Sequence, residues 1–416
     1  MRLFRHAGSG SGFDRYAEST IVATIGVFPD LHCGNAVQSL ARVRPPNTGH
    51  TQFWWGAPGC VHCPRRPLCD GDRPLNDVAN LENRQVLYAR PVRGMPVPED
   101  FSLHSRPVPD TKSGEFLVRN LYLALEPYYR NVMKGMAIYG SPLQVGDVMF
   151  GETLARVVAS LHAGFAVGDL VVARGGWQEF ALLNGANVRK IEATDAPLST
   201  ELGVLGTPGL TGYAGIVYLA PPRPGQTVVV SAATGPVGST VGQTARLMGA
   251  RVVGIAGSPE KCRYAVRELG YAECVNYKEG DLKAALKRAC PTGIDVYFDN
   301  VGGDTLVAAL ANLAQNAHVV LCGMIGAYNQ EVSPPGPHLG PVVVARATVK
   351  GLVVFDHIHR LPELKRVVGG WMREGKFHYR EDITEGLADA PAAFCRLMRG
   401  ENFGKALVRI PDTPPS

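Results

Sequence analysis

The sequence predicts an α/β protein in which a doubly wound parallel sheet is joined to a mostly antiparallel, barrel-like domain. Three observations carry this expectation. The run TVVVSAA at 227–233 is continuous and β-branched, as suits a strand buried on both faces, and a helix-period segment follows it. Strand and helix patterns then alternate as far as GLVVFD at 351–356, the mark of a parallel sheet covered by helices. Before Leu205 the chain instead shows short strands between glycine-rich turns, as in VGDVMFGETLARVVAS and AVGDLVVARGGWQEFALL, a pattern of antiparallel barrels.

Residues 1–82 contain no Lys, show no clear periodicity and carry a Pro-, Gly- and Arg-rich stretch, so they read as a poorly ordered extension. An Arg-rich opening has the composition of an organellar transit segment, but Asp14, Glu18 and Asp30 argue against one, and translated upstream sequence fits at least as well. Within this stretch CVHCPRRPLC places Cys60, His62, Cys63 and Cys69 at knuckle-like spacing. The ligands needed elsewhere to close a tetrahedral zinc site are not evident, so no metal is expected.

The first folded domain is expected to open on the strand NRQVLYAR and to run over 83–204. From 205 to 376 the units follow one another as TVVVSAA, a helix with Val237, Val241, Ala245 and Met248 on one face, then RVVGIAG, PEKCRYAVRELG, CVNY, DLKAALKRAC, IDVYFDNV, DTLVAALANLA and HVVLCG. TVKGLVVFD is the expected last strand. The tail, 377–416, returns to the barrel style.

A chain of 416 residues at 45% hydrophobic has enough apolar material for two cores. Its net charge of +5 is spread along the chain, without the concentrated basic face that nucleic acid requires. No apolar run reaches the roughly 20 residues of a membrane span, and the opening lacks a secretory core. A cytoplasmic protein is expected. Cys262, Cys274, Cys290, Cys322 and Cys395 are scattered without pairing spacing and read as inert, small buried or half-buried side chains.

In AATGPVGS the order Ala233, Gly235, Gly238 gives an A-x-G-x-x-G spacing between a strand and a helix. Missing Cβ atoms there let the backbone turn tightly and approach a pyrophosphate at the helix N-terminus, with Pro236 and Val237 in the first turn. An NAD-binding protein places Asp or Glu about 20 residues further on, to hold the adenosine ribose. This chain has Ala256, Gly257 and Ser258 instead. Ser258 caps the next helix, whose first turn carries Pro259 and Lys261, so a hydroxyl and a cation stand where a ribose 2′-phosphate fits. The cofactor expected is NADPH.

These motifs resemble the medium-chain dehydrogenase/reductases, within them the zinc-free branch of leukotriene B4 12-hydroxydehydrogenase, prostaglandin reductase, alkenal double-bond reductase and curcumin reductase. The resemblance covers nearly all of 83–411. It is carried by NRQVLYARPVRGMPVPEDF, LEPYYRNVM, GTPGLTGYAG, AATGPVGSTVGQTARLMGARVVGIAGSPEK, FDNVGG, CGMIGAYN, GLVVFD and YREDITEGLADAPAAFCRLMRGENFGKALVRI. It implies a Rossmann domain for NADPH and a GroES-like catalytic domain. By the same resemblance Lys261 and Tyr277 contact the 2′-phosphate, Asn402 lies beside the nicotinamide, and Asn300, Cys322, Tyr328 and Phe355 also face the cofactor. Tyr328 matches the tyrosine at the substrate carbonyl and Tyr128 another pocket aromatic; on the residues alone Tyr129 fits that place equally well, and either fits a core. The chain departs from the family pattern at Thr207, usually Met, at Glu126, usually Asp, and in GETLARVV, which lacks the usual glycine run. These departures bear on pocket shape and substrate preference.

Zinc-dependent relatives hold their metal through Cys, His and Glu in the barrel domain. Here no His follows Gly151, and EPYYRN stands in place of the Cys ligand. Hydride transfer to the β-carbon of an enone or enal yields a delocalised enolate and so needs no Lewis acid. The expected reaction is NADPH-dependent reduction of the carbon–carbon double bond of α,β-unsaturated aldehydes or ketones. Tyr328 would donate a hydrogen bond to the enolate oxygen. A quinone reductase on the same scaffold and a catalytically idle NADPH-binding protein are the alternatives. An apolar edge strand at TVKGLVVFD is expected to pair with its own copy in a homodimer.

Overall fold

The computed structural model describes residues 81–136, 142–192, 195–332 and 334–411. The cysteine cluster at 60–69 and almost all of the expected extension lie outside the described residues. The first strands form an antiparallel pair, β1 (Glu82–Tyr88) with β2 (Phe101–Pro107), anchored by the buried apolar end Val86–Tyr88 of β1 and by Phe101 of β2. β3 (Phe116–Ala124), β4 (Thr153–Ser160), β5 (Leu170–Ala173), β6 (Phe180–Leu183) and β7 (Arg189–Lys190) follow, with the single-turn helix α1 (Tyr129–Val132) after β3. Single bridges, Gln85 to Gln178 and Leu87 to Val148, tie β1 to this domain. Aromatic rings meet within its largely aliphatic core: Phe101 stacks on Trp177 at 5.5 Å, and Phe394 meets Trp177 edge-on at 5.7 Å.

α2 (Thr207–Ala214) leads into the parallel sheet. β8 (Thr227–Ser231), α3 (Pro236–Leu247), β9 (Arg251–Ala256), α4 (Pro259–Arg267), β10 (Glu273–Asn276), α5 (Leu282–Ala289), β11 (Ile294–Asp299), α6 (Gly303–Leu310), β12 (Leu313–Leu321), α7 (Gly340–Ala345) and β13 (Thr348–Gly351) alternate as the sequence predicts. The strand order is β10-β9-β8-β11-β12-β13, all parallel. Alternate residues explain the β-branched run. Val228 and Val230 face Val241 and Ala245 of α3, while Val229 joins Leu286 of α5 and Leu306 of α6 on the other face.

Two elements differ from the sequence expectation. α6 ends at Leu310 rather than continuing through the apolar run, because the Asn312 side chain donates to Ala308 O and Lys283 O and the chain re-enters the sheet at Leu313, opposite Ile294. TVKGLVVFD is a strand only over Thr348–Gly351; Val354–Arg360 coils into a 3-10 helix that leads into α8 (Leu361–Arg373). β13 is nonetheless the edge of the sheet.

The tail supplies β14 (Glu381–Glu385), α9 (Ala390–Met398) and β15 (Lys405–Arg409). β15 pairs with β3, giving the antiparallel domain the order β14-β15-β3-β4-β5-β7, with β6 also on β3. The tail is locked to α3 as well. Gln243 donates to His378 O at 2.8 Å and accepts the His378 N–H at 2.7 Å. Among the described residues no helix is long and apolar enough to cross a membrane.

Candidate active site

In an open parallel sheet, ligands meet the C-terminal ends of the strands where the strand order reverses. Here that point lies between β8 and β11. The turn after β8 carries Ala232 in the left-handed region at φ 51°, and a Cβ on Gly238 would fall 2.3 Å from Ala232 O, so only glycine fits there. Gly235 is the N-cap of α3 without a side-chain cap, so the N–H groups of Val237 and Gly238 beyond Pro236, in the helix's first turn, have no intrahelical acceptor. Tyr271, which sequence reading passed over, clamps the turn by donating to Gly238 O at 2.9 Å.

At the end of β9 the Ser258 Oγ accepts the Lys261 N–H at 3.2 Å, the expected cap of α4. Tyr277 is exposed after β10 and its ring lies over Gly257, where a Cβ would meet it at 2.9 Å. Lys278, 5.9 Å from that ring, adds a second cation. The structure therefore brings Gly257, Ser258, Lys261 and Tyr277 together. Burial, then the neighbouring Lys278 charge, holds the Lys261 ammonium below its ordinary pKa. Its Nζ donates to Gly400 O at 2.6 Å, on the loop that bears Asn402, whose own Nδ2 donates to Gly404 O.

At the end of β11, Asn300 N donates to Ser231 Oγ and its Nδ2 to Ser231 O. Buried Asp299 accepts from Ser231, Tyr297 and the N–H groups of Val301 and Gly302, fixing the turn beside them. Cys322, after β12, donates its backbone N–H to Asp299 O. Tyr328 follows a 3-10 turn, and its hydroxyl accepts the Met324 N–H at 3.3 Å.

The loop beyond Cys322 docks on the antiparallel domain, where Lys134 Nζ donates to Gln330 O at 2.6 Å. Half-buried Tyr328, Tyr128 and Phe150 pack on one core cluster of that domain. Tyr129 is instead a core residue, stacked on Phe394, with its hydroxyl accepting the Glu152 N–H. The structure thus separates two tyrosines that the sequence leaves equivalent. Phe355 is exposed and joins this wall through Arg174, whose guanidinium carbon lies 6.0 Å from the Phe355 ring and 5.6 Å from Phe150. Next to it Leu143, Met149, Phe150, Arg174 and Gln178 line a cleft of about 360 Å³.

The three departures from the family pattern meet in space. Thr207 Oγ1 donates to Glu152 Oε1 at 3.4 Å, and Glu126 pairs at 3.0 Å with buried Lys405. Burial, then the Glu126 charge, pushes the Glu152 carboxyl up to about 7, against the pull of Lys405, Arg189 and the Thr207 hydrogen bond. No sequence spacing signals this cluster. Among the described residues no three His, Cys, Asp or Glu side chains stand close enough to hold a metal ion.

Residues 84–191 match the family model described as the N-terminal domain of oxidoreductase, and residues 236–368 the one described as zinc-binding dehydrogenase. The chain is 43% identical over 333 residues to the NADPH-dependent curcumin reductase of Escherichia coli, covering 79% of this chain and 96% of that protein. It is 39% identical to the NADP(+)-dependent 2-alkenal reductase of Nicotiana tabacum, covering 79% of this chain and 98% of the relative. The crystal structure of CurA from Vibrio vulnificus in complex with NADPH superposes with a TM-score of 0.75 at 40% identity, covering 79% of this chain and all of that one. The chain belongs to the medium-chain dehydrogenase/reductase family, in the branch of the curcumin and 2-alkenal reductases.

Proposed function

We propose that the protein is an NADPH-dependent reductase of the carbon–carbon double bond of α,β-unsaturated aldehydes and ketones. One observation carries the reading: nearly the full length of the curcumin reductase and of the 2-alkenal reductase aligns with residues that include the strand-end crevice. A 2-alkenal is an aldehyde conjugated to a double bond, the arrangement in which hydride addition to carbon leaves an enolate. When bound, NADPH supplies the hydride.

The residues fit that cofactor. First-turn N–H groups of Val237 and Gly238, with Gly235 and Pro236 shaping the turn, suit a pyrophosphate. Ser258, Lys261 and Tyr277, with Lys278 beside them, suit a 2′-phosphate, and Gly257 supplies no acid to repel it. Asn300, Cys322, Phe355 and Asn402 complete the cofactor groove. Tyr328 donates a hydrogen bond to the developing enolate oxygen, since a phenol that accepts a backbone N–H still has a proton to give. Tyr128 borders the substrate beside it.

The edge strand β13 pairs with its copy to form a homodimer. The protein acts in the cytoplasm, as five free thiols among the described residues favour.

The test is product identity from an enone and NADPH deuterated at the transferred position. Label on the β-carbon of a saturated ketone supports the proposal. Label on a carbinol carbon, or turnover of quinones alone, overturns it.

A further inference from the structure

Cys262 and Cys274, which sequence spacing leaves unrelated, stand together: Cys274 Sγ donates to Cys262 Sγ at 3.1 Å. Both are half-buried free thiols on regular elements, Cys262 in the second turn of α4 and Cys274 in β10. On β9, Gly254 pairs with Cys274, and a Cβ there would lie 3.2 Å from the Cys274 sulfur. Their positions matter because each adjoins one wall of the proposed 2′-phosphate site. Cys262 follows Lys261 directly, and the strand of Cys274 ends at Asn276, just before Tyr277 and Lys278.

We propose that Cys262 and Cys274 are an oxidant-sensitive dithiol that closes to a disulfide with hydrogen peroxide and thereby weakens binding of a 2′-phosphorylated dinucleotide. The hydrogen bond from Cys274 favours thiolate on Cys262 and thiol on Cys274. The Cys262 thiolate attacks one peroxide oxygen, the O–O bond breaks, and hydroxide leaves, taking a proton to become water. Cys274 sulfur then displaces the hydroxyl of the resulting sulfenic acid; the S–S bond forms and a second water departs. Two electrons pass from the sulfur pair to the peroxide.

A disulfide requires about 2.05 Å between the sulfurs, so they must close by about 1 Å. That movement draws α4 toward β10 and shifts Lys261, whose amide is held by the Ser258 cap and whose Nζ is held by Gly400 O. The effect on cofactor rests on the NADPH reading above; formation of the bond does not.

The test treats the full-length protein with hydrogen peroxide, blocks remaining thiols by alkylation, and maps the peptides. NADPH and NADH affinities are titrated before and after treatment. A cross-linked peptide joining Cys262 to Cys274, reversed by dithiothreitol, is expected, with the NADPH Kd raised about threefold or more and the NADH Kd unchanged. Cys262→Ser and Cys274→Ala should each abolish the response. The proposal is overturned if both thiols stay open to alkylation, if they oxidise separately, or if the cross-link leaves NADPH affinity unchanged. Failure of the untreated protein to bind NADPH would overturn the cofactor arm and the reading beneath it, while a cross-link would still appear.

Discussion

Thr207, at the start of α2, donates a hydrogen bond to the half-buried Glu152, just before β4, and so joins the two domains through that carboxyl. Around it stand Glu126, Lys405, Arg189 and the Tyr129 hydroxyl, with burial the main force against its ionisation.

This arrangement fixes the sign of a pH effect. Folding raises the Glu152 pKa from its ordinary 4.5 to about 7, so the folded state holds a proton that the unfolded state releases. The stabilisation is full below 4.5 and is lost as pH rises through about 7. Glu152→Gln, which keeps an acceptor for Thr207, should remove this slope. Urea unfolding at pH 5 and pH 8 should show the parent losing about 1–3 kcal/mol more than the variant. Parallel losses in both proteins would show that Glu152 ionises freely.

The same cluster marks where sequence reasoning stops. The parallel sheet was legible because β-branched runs such as Val228–Val230, followed by helix-period segments in regular alternation, suit strands covered on both faces; a lone run is ambiguous, since Val342–Val344 lies in α7. The turn glycines and the Ser258 cap were legible because their chemistry is local. Glu126, Glu152 and Thr207 are each visible as departures, but their meeting depends on how β3, β4 and α2 are brought together. Lys278, Arg174 and Tyr271 likewise acquire meaning only from tertiary neighbours. Tyr128 and Tyr129 differ in the sequence by nothing but one step along a turn, and that step decides between wall and core.

Cofactor choice should depend on the end of β9. With no acid at Gly257 or Ser258 and with Lys261 close by, NADPH should be preferred over NADH more than tenfold, equivalent to about 1.4 kcal/mol. Lys261→Glu should erode the preference by placing a like charge beside the phosphate. Competing kcat/KM measurements check this, and equal use of both cofactors by the parent would sink it.

Assembly should depend on β13. Its outer edge carries unpaired backbone groups, and Val349 on it, with Val343 and Val344 on α7, is exposed. Light scattering at micromolar concentration should give the mass of a dimer. Val349→Pro, which removes a ladder donor from the edge, should shift that mass toward the monomer. A parent protein of monomeric mass would remove the edge-pairing model.

The chemical step should depend on Tyr328. Its hydroxyl is set by the Met324 N–H, and its ring packs on the cluster that holds Tyr128 and Phe150. An enolate oxygen gains most of its charge only as hydride arrives, so a hydrogen bond there stabilises the transition state more than bound substrate. Tyr328→Phe should therefore lower kcat roughly 10- to 1000-fold with little change in NADPH affinity. Cofactor ribose hydroxyls can also donate at that oxygen, so activity should fall without vanishing. Unchanged kcat would assign the enolate to another donor, whereas a matched rise in NADPH Kd would make Tyr328 a wall of the cofactor groove and not a partner in the reaction.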